Sequence, residues 1–248
     1  MSETPRLRLH VPADLGPFPL TLGKEQSHYL ANVMRARAGE EVLVFNGRDG
    51  EWRGRLDSVG KNAVVVALEA QTRPQAPEPD LWLVAAPIKK DRIDLVAEKA
   101  SELGAGLLWP VFTRRTVMSR VNTERLEAHM REAAEQCERL SVPEIREPVA
   151  LDKALSNWDA SRTLLFLDES GSGQPLAQVL ADIPEGPLAV LVGPEGGFAP
   201  EERALLARLP FARPVGLGPR ILRAETAAIA ALAIVQAVKG DWARAPRG

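Results

Sequence analysis

Residues 193–197, Gly-Pro-Glu-Gly-Gly, restrict the backbone more than any other stretch of this chain. They end the apolar run Leu-Ala-Val-Leu-Val of residues 188–192, which is too short for a buried helix and predicts a strand covered on both faces. Three glycines and a proline in five positions can neither extend that strand nor begin a helix, so the chain must turn there without side-chain bulk. The stretch alone allows two interpretations, a loop that exposes its main chain to a ligand or simply a tight turn.

Two further loops without bulky side chains accompany this one. Residues 168–173 follow a predicted strand at 163–167, and residues 216–219, Gly-Leu-Gly-Pro, precede a helix rich in Ala, Ile, Leu and Val that reaches Val238. That helix is apolar around more than one face, which predicts burial on nearly every side and one face to cover a partner. Ligands of parallel sheets bind beyond the carboxyl ends of the strands, so we expect the three loops to form one site.

The pattern of apolar residues changes along the chain and predicts two domains. Residues 1–73 consist mostly of short alternating runs with one helix near residues 25–35, ended by Gly39, and predict a small antiparallel barrel or sheet. Residues 74–80 are proline-rich and predict a semi-rigid linker. Strands then alternate with helices through residues 81–248, which predicts the α/β fold class with a mostly parallel sheet and helices on both faces.

The composition requires any surface for nucleic acid to be local. A net charge of -2 over 248 residues gives no bulk attraction to RNA or to a membrane. The single cysteine, Cys137, excludes an internal disulfide framework and fits a reducing compartment, and we expect a cytoplasmic protein without a signal peptide or membrane span. The arginines of the first domain are clustered, and each cluster is either a phosphate contact or an ordinary solvated face: Arg6 with Arg8, Arg35 with Arg37, and Arg53 with Arg55.

Missing motifs argue against several common ligand sites. Neither glycine loop fits the G-x-G-x-x-G dinucleotide fingerprint, and no G-x-x-x-x-G-K-[ST] stretch is present. The histidines, His10, His28 and His129, are scattered, so we expect no metal site. No nucleophile elbow supports a serine hydrolase. The remaining candidate is a ligand with a flat, adenine-like group and little phosphate, bound by main-chain amides and apolar walls.

Both glycine loops belong to longer motifs that resemble a known family. Leu-Val-Gly-Pro-Glu-Gly-Gly-Phe at residues 191–198, followed by Leu-Gly-Pro-Arg-Ile-Leu-Arg-Ala-Glu-Thr-Ala at 217–227, closely resembles the RsmE family of methyltransferases. The likeness continues in Lys-Lys-Asp-Arg at 89–92, Glu-Lys-Ala-Ser-Glu-Leu-Gly at 98–104 and His-Tyr-Leu at 28–30. Ser101, Cys137-Glu138 and Ala224 replace residues that are common in the family, namely threonine, Ser-Gly and threonine.

The resemblance implies an activity and an architecture. It implies a SPOUT-type methyltransferase domain with a trefoil knot at residues 81–248, and a PUA-like RNA-binding barrel at 1–73. It also implies S-adenosylmethionine as cofactor, N3 of one uridine in 16S ribosomal RNA of the small subunit as substrate, and a homodimer. Two alternatives stay open, a methyltransferase that acts on another RNA and a non-catalytic RNA-binding factor with the same fold.

The family motifs assign candidate site residues in this sequence. The cofactor contacts carried over are Gly193, Glu195, Gly196, Gly197, Leu217, Gly218, Ile221 and Leu222. Our candidates for RNA binding are Arg6, Arg8, Arg35, Arg92 and Arg114, each of which is otherwise a solvated surface charge. For catalysis we favour Arg223 beside the uracil, oriented by Glu225, which could also relay a proton. The competing interpretation makes Arg223 and Glu225 a structural ion pair.

Overall fold

Contacts between Cα atoms divide the chain into two compact units. The computed structural model describes residues 7–60 and 63–243. Unit 1 comprises Met1–Pro77 and Ala134–Val142, and unit 2 comprises Glu78–Ala133 and Pro143–Gly248. The first boundary falls inside the proline-rich stretch of residues 74–80. The sequence did not predict that the chain returns to unit 1 after residue 133.

A five-stranded sheet forms unit 1. Its strands are β1 (Leu7–His10), β2 (Pro19–Thr21), β3 (Glu41–Phe45), β4 (Glu51–Val59) and β5 (Val64–Arg73), in the spatial order β1-β3-β4-β5-β2. β3, β4, β5 and β2 pair antiparallel, whereas β1 pairs parallel with β3. The predicted antiparallel arrangement therefore holds except at β1. Alternate residues of the strands point inward and form the core with Leu9, Val42, Val44, Val64 and Val66.

The helix predicted near residues 25–35 is shorter than its apolar spacing indicates. It consists of α1 (Lys24–His28) and a π-helical turn (Tyr29–Val33). Arg35 has a φ of 52°, in the left-handed region, so the helical conformation has already ended there. Gly39, the predicted terminator, also has a positive φ but lies beyond the end of the helix. π-helical turns occur frequently at functional sites.

Three charged side chains, Arg8, Glu51 and Arg73, form a mostly buried triad in unit 1. Nε of Arg8 lies 2.7 Å from the Glu51 carboxylate, and Nη2 of Arg73 lies 2.6 Å from it. The Glu51 side chain is 5% exposed. Burial raises the pKa of Glu51, but hydrogen bonds from Arg73 and Arg8 outweigh that effect and hold the pKa below its usual range.

Arg8 also fixes the segment that returns to unit 1. Its guanidinium donates hydrogen bonds to the carbonyl oxygens of Ala134 at 2.8 Å and Arg139 at 2.7 Å. The Arg8 side chain is 7% exposed, and its charge is paired with the Glu51 carboxylate inside unit 1. This corrects the assignment of Arg8 to RNA binding. Arg6, its predicted partner in the cluster, lies outside the described residues.

Unit 2 is built on an eight-stranded sheet in which all pairs are parallel. The strands are β6 (Leu81–Ala85), β7 (Leu107–Phe112), β8 (Glu144–Ile145), β9 (Val149–Ala150), β10 (Thr163–Leu167), β11 (Gln174–Pro175), β12 (Leu188–Val192) and β13 (Ala212–Gly216). They follow the order β11-β13-β10-β12-β6-β7-β8, with β9 paired to β7. The central strand β12 is buried at all five positions, as its unbroken apolar run predicts.

The described residues of unit 2 contain five helices that lie between these strands and a sixth, α7, that follows the last strand. They are α2 (Lys90–Glu102), α3 (Thr123–Gln136), α4 (Leu151–Ser156), α5 (Leu176–Asp182), α6 (Pro200–Leu206) and α7 (Ala224–Val238). Alternating strands and helices confirm the α/β fold class. Every helix of the described residues falls short of the length and hydrophobicity needed to cross a bilayer.

Helix α7 is buried along one face only, which corrects the prediction of burial on nearly every side. The buried positions recur with helical spacing and are Ala228, Ala231, Leu232, Val235 and Gln236. The Gln236 amide donates a hydrogen bond to the Leu103 carbonyl at 2.9 Å, so the one strongly polar residue on this face is satisfied. The other faces of α7 retain partly exposed apolar side chains.

Candidate active site

Three loops meet around a cavity at the carboxyl edge of the unit 2 sheet. β13, β10 and β12 are parallel neighbours, so the loops that follow them emerge side by side. They enclose a volume of about 620 Å³, within the range of pockets that bind small ligands. The prediction that these loops form one site is confirmed.

The loop after β12 brings Gly197 against the Glu169 carboxylate. Gly197 has a φ of 67°, and a Cβ atom there would overlap the Glu169 carboxylate. Glu169 in turn accepts a hydrogen bond from the amide of Phe198 at 3.2 Å, and Phe198 is fully buried. The positive φ favours glycine at this position, and any larger residue would also displace the Glu169 carboxylate.

Seven of the eight predicted cofactor contacts line the cavity. They are Gly193, Glu195, Gly197, Leu217, Gly218, Ile221 and Leu222. Gly196 does not line it, and its carbonyl oxygen accepts a hydrogen bond from Nη1 of Arg115 at 2.7 Å. The Ile221 side chain is 88% exposed and therefore stands at the rim of the cavity instead of forming a closed wall.

Sequence reasoning missed the acidic residues that the loop after β10 contributes. Asp168 and Glu169 line the cavity together with Ser170. Asp168 is buried, and its carboxylate accepts hydrogen bonds from the amide of Ser170 at 3.0 Å and from the hydroxyl groups of Ser170 and Ser172. Burial raises the pKa of Asp168, but these hydrogen bonds outweigh it, so the pKa lies below its usual range. The available signal was the Asp-x-Ser-x-Ser spacing directly after a buried strand.

Arg223 and Glu225 do not form the pair that either interpretation of the sequence requires. Arg223 lines the cavity, is exposed and occupies the N-cap position of α7. The Glu225 side chain is 12% exposed, is not among the residues that line the cavity, and lies 3.2 Å from Nη1 of Arg92. Arg92 is thus ion-paired at the first turn of α7 and is not a free surface cation, and its assignment to RNA binding stays a prediction.

The remaining two RNA candidates are exposed and lie in different units. Arg35 follows the π-helical turn of unit 1, close in sequence to the exposed side chains of Tyr29, Val33 and Met34. Arg114 lies after β7 in unit 2, and only its main-chain amide is bonded, to the Glu202 carboxylate at 2.8 Å. Within the described ranges, neither guanidinium has an acidic partner.

No metal chemistry is indicated by the described residues. Residues 7–60 and 63–243 contain no group of three or more histidine, cysteine, aspartate or glutamate side chains positioned to hold a metal ion. The cavity has two arginines, Arg220 and Arg223, and no lysine along its described lining. It therefore offers main-chain groups, carboxylates and apolar surface.

Comparisons with known proteins all indicate the same family. A family model described as an RNA methyltransferase domain matches residues 75–236, and one described as an RNA methyltransferase PUA domain matches residues 22–69. Ribosomal RNA small subunit methyltransferase E of Rickettsia conorii is 34% identical over 210 residues, which cover 84% of this chain and 85% of the relative.

Two solved structures share the fold over nearly the whole chain. A methyltransferase from Legionella pneumophila, in complex with bound SAM, is 32% identical with a TM-score of 0.83, covering 95% of this chain and 98% of its own. Ribosomal RNA small subunit methyltransferase E from Neisseria gonorrhoeae, bound to S-adenosyl methionine, is 26% identical with a TM-score of 0.86, covering 95% and 99%.

Proposed function

The chain belongs to the RsmE family of ribosomal RNA small subunit methyltransferases, and we propose that it methylates N3 of one uridine in 16S ribosomal RNA. It is an S-adenosylmethionine-dependent ribosomal RNA methyltransferase with a SPOUT-type domain and a PUA-like domain. The observation that carries the proposal is the cavity formed by the three loops at the carboxyl edge of the parallel sheet. The choice of nucleotide and of atom rests on the family resemblance.

The residues of the cavity fit S-adenosylmethionine by size and chemistry. Its apolar lining includes Leu217 and Leu222, which suit an adenine ring, and its bare glycine loops bring main-chain groups within reach of a ligand. The ionised Asp168 and the exposed carboxylate of Glu195 suit the positive charges of the cofactor. Bound there, the cofactor would supply a methyl group already activated by its sulfonium.

The chain's own task in catalysis is to favour loss of a proton from the base. N3 of uracil carries a proton at neutral pH and is a poor nucleophile until that proton leaves. Arg223 lines the cavity, and no acidic side chain in the described part of the chain lies within salt-bridge distance of it. Its position at the positive end of α7 adds a favourable field for negative charge. We assign Arg223 to stabilising the charge that develops on the uracil.

Glu225 receives a positioning role in this proposal. One carboxylate oxygen pairs with Arg92, and the other is buried without a hydrogen-bond partner among the described residues. The pair joins α2 to the first turn of α7, directly after the residue that faces the uracil. Arg92 and Glu225 would therefore fix the start of α7 and with it the direction of Arg223.

Unit 1 supplies a surface suited to RNA. Arg35 combines an exposed charge with the neighbouring exposed side chains of Tyr29, Val33 and Met34. Aromatic and apolar side chains beside a cation are the usual composition of a surface on which unpaired bases stack. We assign Arg35 and Tyr29 to RNA binding. The proposed substrate, ribosomal RNA of the small subunit, gives the protein a cytoplasmic site of action.

We also propose a homodimer that covers the free faces of α7. Three large apolar side chains, Ile221, Val238 and Trp242, are exposed close to the two ends of this helix. Partly exposed apolar side chains along α7 lie between them, and extended exposed apolar surface of this kind is uncommon on monomers and usually marks an interface. Light scattering at micromolar concentration should give twice the chain mass, and Val238→Asp should shift the population toward monomer. A monomer for the wild type would contradict the proposal.

Two solution measurements test the proposed function. Calorimetry should show binding of S-adenosylmethionine and its demethylated product, and no comparable binding of ATP or NAD, because the cavity lacks a phosphate-binding loop. Tritium from labelled cofactor should enter 16S ribosomal RNA. Incorporation into 23S or transfer RNA instead would favour a different RNA substrate, and cofactor binding without any transfer would favour a non-catalytic factor.

A further inference from the structure

The loop of residues 113–120, hereafter the arginine loop, carries an unbalanced positive charge beside the candidate active site. Its sequence is Thr-Arg-Arg-Thr-Val-Met-Ser-Arg, and no acidic residue occurs between Thr113 and Thr123. Arg114, Arg115 and Arg120 are all exposed, and no acidic side chain within residues 7–60 and 63–243 pairs with any of them. Three cations without local neutralisation attract a polyanion.

The backbone of the arginine loop is fixed although its side chains are exposed. Glu202, which is 8% exposed, accepts hydrogen bonds from the amide of Arg114 and from the amide of Ala199, both at 2.8 Å. The loop also closes on itself, since the amide of Thr113 donates to Oγ1 of Thr116 at 2.9 Å. A buried carboxylate thus ties the arginine loop to the start of α6.

Arg115 connects the arginine loop to the glycine loop of the cavity. Its Nη1 donates to the Gly196 carbonyl at 2.7 Å, and its aliphatic carbons lie close to Gly196. A guanidinium has five N–H donors, so this single bond leaves others free for a second acceptor. Val117, two residues further on, is 92% exposed and provides apolar surface at the same edge.

We propose that the arginine loop binds the phosphate backbone of an unpaired stretch of ribosomal RNA next to the methylated nucleotide. The inference rests on the proposed function and adds a specific RNA contact to it. N3 lies on the pairing edge of uracil, so the target base must be unpaired and out of the stack to reach the cavity, which brings the phosphates that flank it to the edge of the cavity. Arg114, Arg115 and Arg120 would hold those phosphates, while Val117 would contact an exposed base.

The test compares charge removal at two edges of unit 2. Arg114→Ala combined with Arg120→Ala removes two proposed phosphate contacts and leaves the Arg115 to Gly196 bond in place. Arg208→Ala is the control, because Arg208 is exposed in the turn between α6 and β13, at the opposite, amino edge of the sheet. Binding of 16S ribosomal RNA is measured by filter retention over a range of salt concentrations, and cofactor affinity is measured by calorimetry.

The double variant should bind RNA more weakly, and its log–log salt slope should flatten by about 1.4, or about 0.7 for each lost contact with single-stranded RNA. Its cofactor affinity should equal that of the wild type, and Arg208→Ala should match the wild type in both measurements. A double variant with the wild-type salt slope overturns the inference and leaves the proposed function intact. If the wild type itself retains no 16S ribosomal RNA, the proposed function fails and this inference fails with it.

Discussion

Two groups of arginines in this protein carry the same charge in opposite surroundings. In unit 1, Arg8 and Arg73 surround the buried carboxylate of Glu51 and donate to carbonyl oxygens of the returning segment. In unit 2, Arg114 and Arg120 project from a loop that contains no acid. In the sequence, Arg8 lies close to Arg6 and Arg114 lies next to Arg115, so local clustering does not distinguish the two. The two groups differ in what the fold places around them. Where it supplies an acid and free carbonyl groups, the arginines hold the structure together, and where it supplies neither, their charges stay available to a ligand.

Removing the acid of the buried triad should destabilise unit 1. Glu51→Ala leaves two mostly buried guanidinium groups without their counter-charge, and breaking a buried pair costs about 3–5 kcal/mol. Hydrogen exchange should show loss of protection in β3 and β4 of unit 1, with β10 and β12 of unit 2 unchanged. Undiminished protection in unit 1 would show that the triad does not hold the unit together.

Arg223 is, by contrast, an exposed arginine whose loss should affect function and not stability. Arg223→Ala should lower single-turnover methylation by about a hundredfold or more, while cofactor affinity and amide protection stay at wild-type values. The rate should recover partly as pH rises, because uracil then loses its N3 proton without assistance. Joint loss of cofactor binding and thermal stability would instead give Arg223 a structural role.

Lowering the pH tests the role of Glu51 in the triad without removing the side chain. Its pKa in the folded chain lies below the usual value, so the stabilisation is complete above that usual value, about 4.3 for glutamate. It is lost as pH falls through the folded pKa. The free energy of unfolding of unit 1 should therefore decrease as pH falls below that usual value. Glu51→Gln should be less stable at pH 7 and should show a weaker pH dependence than the wild type, and parallel curves for the two proteins would contradict this assignment.

Of these variants, Arg35→Ala should change stability and RNA binding the least. Arg35→Ala removes one exposed charge, so stability should change by less than about 0.5 kcal/mol. The log–log salt slope of RNA binding should flatten by about 0.7, the value for one phosphate contact with a single strand. Arg37→Ala provides a matched control two residues away, with an exposed charge in the same unit. Equal slopes for Arg35→Ala and the wild type would return Arg35 to the ordinary solvated surface.

Local pattern predicted the strands of both units well, because alternation and buried apolar runs depend on nearby residues. The bounds of β10 and β12 agree with the prediction at both ends, and α7 ends at Val238 as expected. The convergence of the three loops could also be predicted, since it follows from parallel strands that end at one edge. The short helices α4 and α5 were not predicted, because so few residues give little periodic signal.

The partners of Arg8, Arg92 and Glu225 could not be predicted for one physical reason. Each was interpreted from its neighbours in sequence, but its partner comes from a distant part of the chain. Arg8 bonds to Ala134, and Glu225 meets Arg92. Glu138 replaces a residue that is commonly glycine in the family, and its φ of 59° shows a left-handed turn inside the segment that returns to unit 1. A trefoil knot depends on threading, which neither periodicity nor strand pairing expresses.

The proposed function is tested most directly by mapping the modified nucleosides of ribosomal RNA by mass spectrometry in a strain that lacks this protein. We predict that one 3-methyluridine is missing from 16S ribosomal RNA, and that the wild-type chain restores it whereas Arg223→Ala does so about a hundredfold more slowly. An unchanged 3-methyluridine content in 16S ribosomal RNA, or a missing methyl group in 23S or transfer RNA, would contradict the proposed function.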